Sequence, residues 1–408
     1  MTFHHRAVPI VLAAVLIDSI GFGIVLPVLP KLIEHLAHAT PADAARIGGY
    51  MLVAYSLAQF VAAPIFGSLG DTIGRRPVLL FSMIAFSIDY GLTAVAPTIG
   101  WLFLGRTIAG IAGATYGPAN AVLADVTPPE KRGEVFGLMG AAFGIGFVLG
   151  PGIGGLLGLI SPRAPFIAAA ALSALNALWI LFVMPETMTA ERRRPFEWRK
   201  AHILGSFDAL RHAGQAKWLL AAAFLWQFGH MVYPATWAFW AGIAMHWNPG
   251  MIGFSLALSG AAMAIVQAGV TGKMIKRFGE ERTVVVGMLT GGLAFTCYIF
   301  ARETWMIYAI IVFSALQALT FPSVNALVSR LADPSHQGAV MGGMQSLSSI
   351  AWIVSPLVLS QALAIGTEHG FTGGNFAVAA LLVFAALAIV LLRVVPRVSR
   401  GPAPVAEA

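Results

Sequence analysis

An all-α integral membrane protein of about twelve transmembrane helices in two six-helix repeats is predicted by three features of this sequence. Of its 408 residues 58% are hydrophobic and only 11% charged, against about 25% charged in an average soluble domain. The apolar residues gather in stretches such as Val78 to Ala96 and Phe376 to Leu392, the length of about 20 residues that crosses a hydrocarbon core. The two halves also share one register of Gly and Pro.

Taken in order, the stretches place spans at roughly 7–30, 47–68, 77–96, 98–123, 135–160, 164–184, 218–245, 250–271, 283–301, 304–329, 340–365 and 371–392. The N-terminus, Met1-Thr2-Phe3-His4-His5-Arg6, runs into an apolar stretch too long for a signal-peptide core and without an Ala-x-Ala site, so it reads as a retained first span. The single cysteine, Cys297, lies in an apolar run. It excludes a disulfide framework and a thiolate metal site, and reads as a small buried hydrophobe. No metal or cofactor is expected.

A formal charge of +7 and a pI near 9.8 would suit nucleic acid, but the cations follow the loops instead. Most of the 25 lysines and arginines, from Arg6 through Arg75, Arg76, Lys131, Arg132 and Arg330 to Arg400, fall on one side of the membrane. Only Lys31, Arg46, Arg163 and Arg302 fall on the other, and Arg106 lies within a span. The positive-inside rule then puts both termini in the cytoplasm.

The long polar segment Glu186 to Lys217 divides the chain into an N-terminal bundle (1–186), a cytoplasmic linker (187–217), a C-terminal bundle (218–396) and a cytoplasmic tail (397–408). Within the linker, Phe196 to Leu210 either lies as a helix in the headgroup plane or is solvated. An ungapped offset of 205 residues pairs Gly67 with Gly272, Gly74 with Gly279, Asn120 with Asn325, Pro129 with Pro334, Gly133 with Gly338, Gly137 with Gly342 and Pro151 with Pro356. A parallel six-plus-six repeat is the architecture in which two bundles rock about a site at mid-depth, which favours transport over a sensor or scaffold.

An ionisable group at mid-membrane costs at least about 2.5–3.5 kcal/mol, so each needs a partner, a watery cavity or a function. Three stand out: Asp18 in span 1, Asp89 in span 3 and Arg106 in span 4. Asp18 precedes Gly21, Gly23, Pro27 and Pro30, residues that loosen or kink a helix, and a carboxylate there suits proton loading and release. Arg106 is a fixed positive charge that pairs an acid or attracts an anionic group. For Asp18 the competing reading is a permanent interhelix ion pair that only fixes packing, and for Asp89, nearer the far end of its span, a polar contact to a neighbouring helix. The second half offers Gln227, His230, Gln267, Gln317, Asn325, Gln345 and Gln361 at depth, and span 7 is crowded with Phe224, Trp226, Tyr233, Trp237, Phe239 and Trp240. Gln227, His230, Tyr233, Trp237, Gln267, Gln317 and Asn325 are the candidate substrate-cavity residues, an aromatic wall with a few polar groups.

Between spans 2 and 3 stands Gly67-Ser68-Leu69-Gly70-Asp71-Thr72-Ile73-Gly74-Arg75-Arg76-Pro77. Its glycines permit a tight turn, Asp71 can cap a helix or pair with a cation, and the arginines can reach carboxylates or helix C-termini. With Gly67, Asp71, Gly74, Arg75 and Arg76 in place, the segment resembles the signature loop of the major facilitator superfamily, implying the major facilitator fold and a role at the cytoplasmic gate. In span 5, Gly137, Gly146, Gly150, Pro151, Gly154 and Gly155 resemble the pattern of that superfamily's drug/proton antiporters.

The runs Asp18 to Pro30, Asp89-Tyr90 and Gly105 to Thr115, with Gly253-Phe254-Ser255-Leu256-Ala257 and Gln267, are similar to the bacterial tetracycline/proton antiporters. That likeness implies proton coupling through Asp18, Asp89 and Arg106. It departs at Met263 and Gly292, where well-known members carry a histidine and an aspartate. The expected function is proton-coupled efflux of small amphipathic compounds, tetracycline-type drugs among them, by a monomer whose partners are substrate, the proton gradient and membrane lipids, with no nucleic acid. An uptake symporter or uniporter is the rival within transport, and a non-transporting receptor or scaffold the rival outside it. No Ser/His pair, paired aspartates or metal-ligand cluster points to an enzyme.

Overall fold

The computed structural model describes residues 6–113, 116–188, 191, 193, 216–331 and 337–398, which are helical almost throughout and contain no strand. The linker segment Phe196 to Leu210, the repeat residues Pro334 and the end of the tail lie outside the described residues. Among the described residues ten helical stretches are long and apolar enough to cross a membrane. Two further crossings are each made of consecutive shorter helices, Ile99–Ala112 with Tyr116–Val126 and Lys217–His230 with Val232–Ala244, which brings the total to the twelve expected.

The breaks have local causes. Span 1 runs Ala7–Val25, turns through Leu26 to Val28 and resumes as Leu29–Ala37. It ends short of the expected residue 30 because Pro27 lacks a donor and its ring crowds the carbonyl of Gly23, while Pro30 is tolerated in the first turn of the next helix. Span 7 breaks at Met231, since the ring of Pro234 would clash with the carbonyl of His230 in a continuous helix. Span 2, Pro41–Ile73, outruns the expected 47–68 because the Thr40 hydroxyl caps it, accepting from Asp43 N at 3.2 Å.

Gly74 and Gly279, paired by the 205-residue offset, both have positive φ, +110° and +80°, a conformation that favours glycine. Gly74 ends span 2, and Gly279 makes the kink inside Thr271–Phe300 that separates a short helix from span 9 proper. Cys297 is exposed on span 9 rather than buried, on the face of the helix away from Phe295 and Tyr298.

The chain forms two compact units, Met1–Ile203 with Ala238–Gly260, and Leu204–Trp237 with Ala261–Ala408. In the first, span 1 packs on spans 5 and 6, and span 3 on spans 4 and 6; in the second, span 7 packs on spans 11 and 12, and span 9 on spans 10 and 12. The pairings repeat six spans apart.

Span 5, Arg132–Ile160, shows why its motif is glycine. A Cβ on Gly146 would fall 2.6 Å from the Leu16 carbonyl oxygen, one on Gly150 would fall 2.7 Å from that of Ile20, and one on Gly154 would strike the backbone of Ile24. Across the contact Gly23 faces Pro151, and a Cβ on Gly155 would fall 2.6 Å from the Pro249 carbonyl oxygen. Small residues thus bring two backbones together where lipid supplies no hydrophobic drive, and span 1 is seated on span 5 from Gly146 to Gly154, about two turns. Gly137 has open space around its Cα. Overpacking a close contact costs about 1–3 kcal/mol or more, so Gly150→Val and Gly154→Val should sharply reduce membrane abundance and the thermal midpoint, while Gly137→Ala should leave both near wild type in fluorescence-detected size-exclusion traces.

Candidate functional site

Asp89 and Arg106 form a buried ion pair between spans 3 and 4. Asp89 is fully buried, Thr93 donates to its second oxygen at 3.5 Å, and Gly105 leaves room for the carboxylate, since a Cβ there would lie 2.5 Å from Asp89 Oδ1. The Arg106 guanidinium also lies 5.7 Å from the centre of the Tyr90 ring, a cation–π contact. Tyr90 in turn packs on span 1, its hydroxyl 3.6 Å from where a Cβ on Gly21 would stand.

Asp18 lies one turn before Gly21 on that helix, yet it makes no hydrogen bond or ion pair with any described residue. It borders a cavity of about 10 Å³ among Val11, Val15, Leu79, Met83 and Ile180, on the scale of one water molecule. The adjoining turn is held firmly: Ser19 Oγ donates to Val15 O at 2.7 Å, and buried Asn176 donates from span 6 to Ala14 O at 3.0 Å. The guanidinium that the sequence offered to Asp18 is therefore engaged by Asp89.

The signature loop is an interlocked set on the side where the sequence gathers its cations. Arg75 pairs with Asp71 at 2.6 Å and with Asp125, at the end of span 4, at 3.4 Å. Arg76 donates to the carbonyls of Ile180 and Leu181, the latter in the last turn of span 6, where a cation favours the helix dipole. Gly67 stands in open space.

Sequence reasoning missed Glu186. Its carboxylate accepts from the backbone N–H groups of Arg75, Arg76, Thr187 and Met188 at 2.9–3.2 Å, and the space beside Gly74 is filled by that carboxylate. Glu186 thus serves as the cap that span 3 lacks in its own sequence. The one available signal was a lone acid directly after the last apolar residues of span 6.

In the second unit, His230, Tyr233, Trp237 and Gln317 meet. His230 stacks on Trp226 at 4.9 Å and meets Tyr233 edge-on at 5.3 Å; Tyr233 lies 5.7 Å from Trp237 and 5.6 Å from Phe295. Gln317 donates to the Tyr233 hydroxyl at 3.0 Å. His230 Nδ1, Gln317 Oε1 and, separately, Asn325 Oδ1 are buried without a hydrogen-bond partner among the described residues. Gln267 is exposed and Gln227 half-buried. A Cβ on Gly292 would strike the Phe384 ring, whereas one on Gly291 would stand 3.5 Å from Gln317 Oε1.

The family model described as Major Facilitator Superfamily matches residues 11–356 and, in a second match, 240–408. The chain belongs to the Major Facilitator Superfamily. It is similar to the class C tetracycline resistance protein of Escherichia coli, 39% identical over 97% of both chains, and to the class G protein of Vibrio anguillarum, 37% identical over 93% of this chain and 96% of that one. Among solved structures it resembles the human organic anion transporter MFSD10 (TETRAN), with a TM-score of 0.69 and 25% identity over 94% of this chain and 99% of that one. As a member of the superfamily it is a multi-pass membrane transporter of small molecules and not an enzyme.

Removing one partner of a buried ion pair costs about 3–5 kcal/mol by stranding the other. Asp89→Ala and Arg106→Ala should each cut the yield of monodisperse protein severely, the double variant should recover part of it, and Asp18→Asn should purify and melt like wild type.

Proposed function

We propose that the chain is a proton-coupled exporter of amphipathic drugs, tetracycline included, working as a monomer by alternating access in a bacterial inner membrane with both termini in the cytoplasm. The observation that carries this reading is Asp18: a carboxylate at membrane depth, on a helix firmly seated by glycine contacts, with no cation of its own beside an ion pair already complete. A structural acid would have a permanent partner. An acid without one is suited to take a proton from one side and yield it to the other, and the Asp89–Arg106 pair and Tyr90 transmit its charge state to spans 3 and 4.

The aromatic cluster of span 7 supports the substrate class. Flat rings of Trp226, His230, Tyr233 and Trp237 suit a ring-bearing molecule, and the unpartnered Nδ1 of His230 and Oε1 of Gln317 offer an exchangeable donor and an acceptor. The printed names of the relatives supply tetracycline as the first drug to try, and their similarity spans nearly the whole chain. The excess of lysine and arginine in one set of loops supports the orientation.

In susceptible bacteria the wild-type chain should lower tetracycline accumulation, and an uncoupler should abolish the difference. Asp18→Asn should raise accumulation to that of cells lacking the protein while membrane abundance stays unchanged. Export by Asp18→Asn at the wild-type rate would overturn the assignment of Asp18; equal accumulation with and without the wild-type protein would remove tetracycline as substrate.

A further inference from the structure

At the cation-rich end of the second unit two exposed cations from different spans meet one ring. Lys217, at the start of span 7, lies 5.8 Å from the centre of the Trp218 ring, and Arg393, in the closing turn of span 12, lies 5.1 Å from it. Each contact is favourable by itself, but two like charges on one indole repel, and an anion between them would turn repulsion into attraction. Ala216 gives this helix no side-chain cap and its first turn contains no acid, so Lys217 stands where the helix dipole favours negative charge. The acids that the described residues place on this side of the unit, Glu280 and Glu281, are both engaged by Arg330. Trp218 adds a donor: its Nε1 is buried without a hydrogen-bond partner among the described residues, and an indole nitrogen can only donate.

Arg393 owes its place to a π turn. Val390–Val394 is π-helical, a form frequent at functional sites. It takes one residue more per hydrogen bond than the α-helix Gly374–Ile389 that it follows, which shifts Arg393 off the face that an unbroken helix would give it. The two residues before it, Leu391 and Leu392, are apolar and exposed, 45% and 73%, and offer hydrocarbon contact beside the cations. In the 205-residue register the first unit has Leu12, Ala13 and Met188 in place of Lys217, Trp218 and Arg393, so the cluster is no requirement of the repeated fold.

We propose that Lys217, Trp218 and Arg393 bind the phosphate headgroup of an anionic phospholipid in the leaflet on the cation-rich side of the membrane. The phosphate sits between the two cations at the start of span 7 and accepts from Trp218 Nε1. Moving from the ring to the phosphate oxygens, the two long exposed side chains open the indole nitrogen to the same group. Leu391 and Leu392 meet an acyl chain, and this apolar flank favours a lipid over free phosphate. The bound lipid ties the first span of the second unit to its last, whatever compound the protein exports.

The full-length chain is reconstituted in nanodiscs of phosphatidylcholine carrying a minor fraction of phosphatidylglycerol, and the lipids retained on the released protein are counted by native mass spectrometry. Wild type should retain phosphatidylglycerol several-fold above its share of the disc. Lys217→Gln with Arg393→Gln should bring retention down to that share, and Trp218→Phe, which keeps an aromatic ring and removes the N–H, should lower it. Lys273→Gln with Lys276→Gln removes two exposed cations from the same side and should leave retention unchanged. No enrichment on wild type would overturn the proposal, as would wild-type retention by Trp218→Phe. An equal loss in the Lys273 and Lys276 variant would also overturn it, because general attraction to a charged surface would then account for the lipid. Inorganic phosphate separates the two sources of the anion: it should neither displace the lipid nor raise the thermal midpoint in discs of phosphatidylcholine alone. If it does either, the site takes free phosphate and the lipid assignment fails. Should the double variant not fold, the wild-type enrichment and the Trp218→Phe comparison still decide.

Discussion

The seating of span 1 on span 5 is the contact on which the rest of the first unit depends. Gly146, Gly150 and Gly154 bring its backbone against Leu16, Ile20 and Ile24, so the segment that carries Asp18 is fixed by main-chain contact rather than by interdigitated side chains. This matters for a carboxylate at depth. If its helix could rotate freely, Asp18 would turn toward any available cation, and the intramembrane one, Arg106, is already held by Asp89. Rigid packing keeps a costly arrangement in place, much as strained residues elsewhere persist only where their surroundings determine them.

The ion pair itself illustrates how burial redistributes roles. Arg106 with one acid is satisfied; with two it would have to choose. Thr93 and the bare Cα of Gly105 favour Asp89, and the Tyr90 ring takes one face of the guanidinium. What remains for Asp18 is an apolar lining and a space of about one water, surroundings in which a carboxylate responds strongly to the arrival of a single proton.

The helical membrane fold was legible in the sequence because it follows from the length of apolar runs and the repeated register of glycine and proline. The span ends were less so: the early end of span 1 and the break at Met231 depend on how Pro27 and Pro234 act on neighbouring carbonyls, and the extension of span 2 to Pro41 depends on the Thr40 cap. The three intramembrane charges could be named from their cost alone, but which acid Arg106 would engage is a matter of a Thr hydroxyl and a missing Cβ. Glu186 was read as the first residue of a polar linker, because its partners are main-chain N–H groups 110 and 111 residues away, which no side-chain pattern records.

Gly74 and Gly279 have a further consequence for how such a chain can diversify after an internal duplication. Both copies retain the unusual backbone that positive φ demands, while Asp71, Arg75, Arg76 and Asp125 fall in the 205-residue register on Lys276, Glu280, Glu281 and Arg330, each of opposite sign. The inherited property is therefore the shape of the turn, and electrostatic polarity is a label that each copy is free to rewrite provided the partners change together. An alignment of the two halves scored on charge would reject the correct register; one anchored on the glycines recovers it.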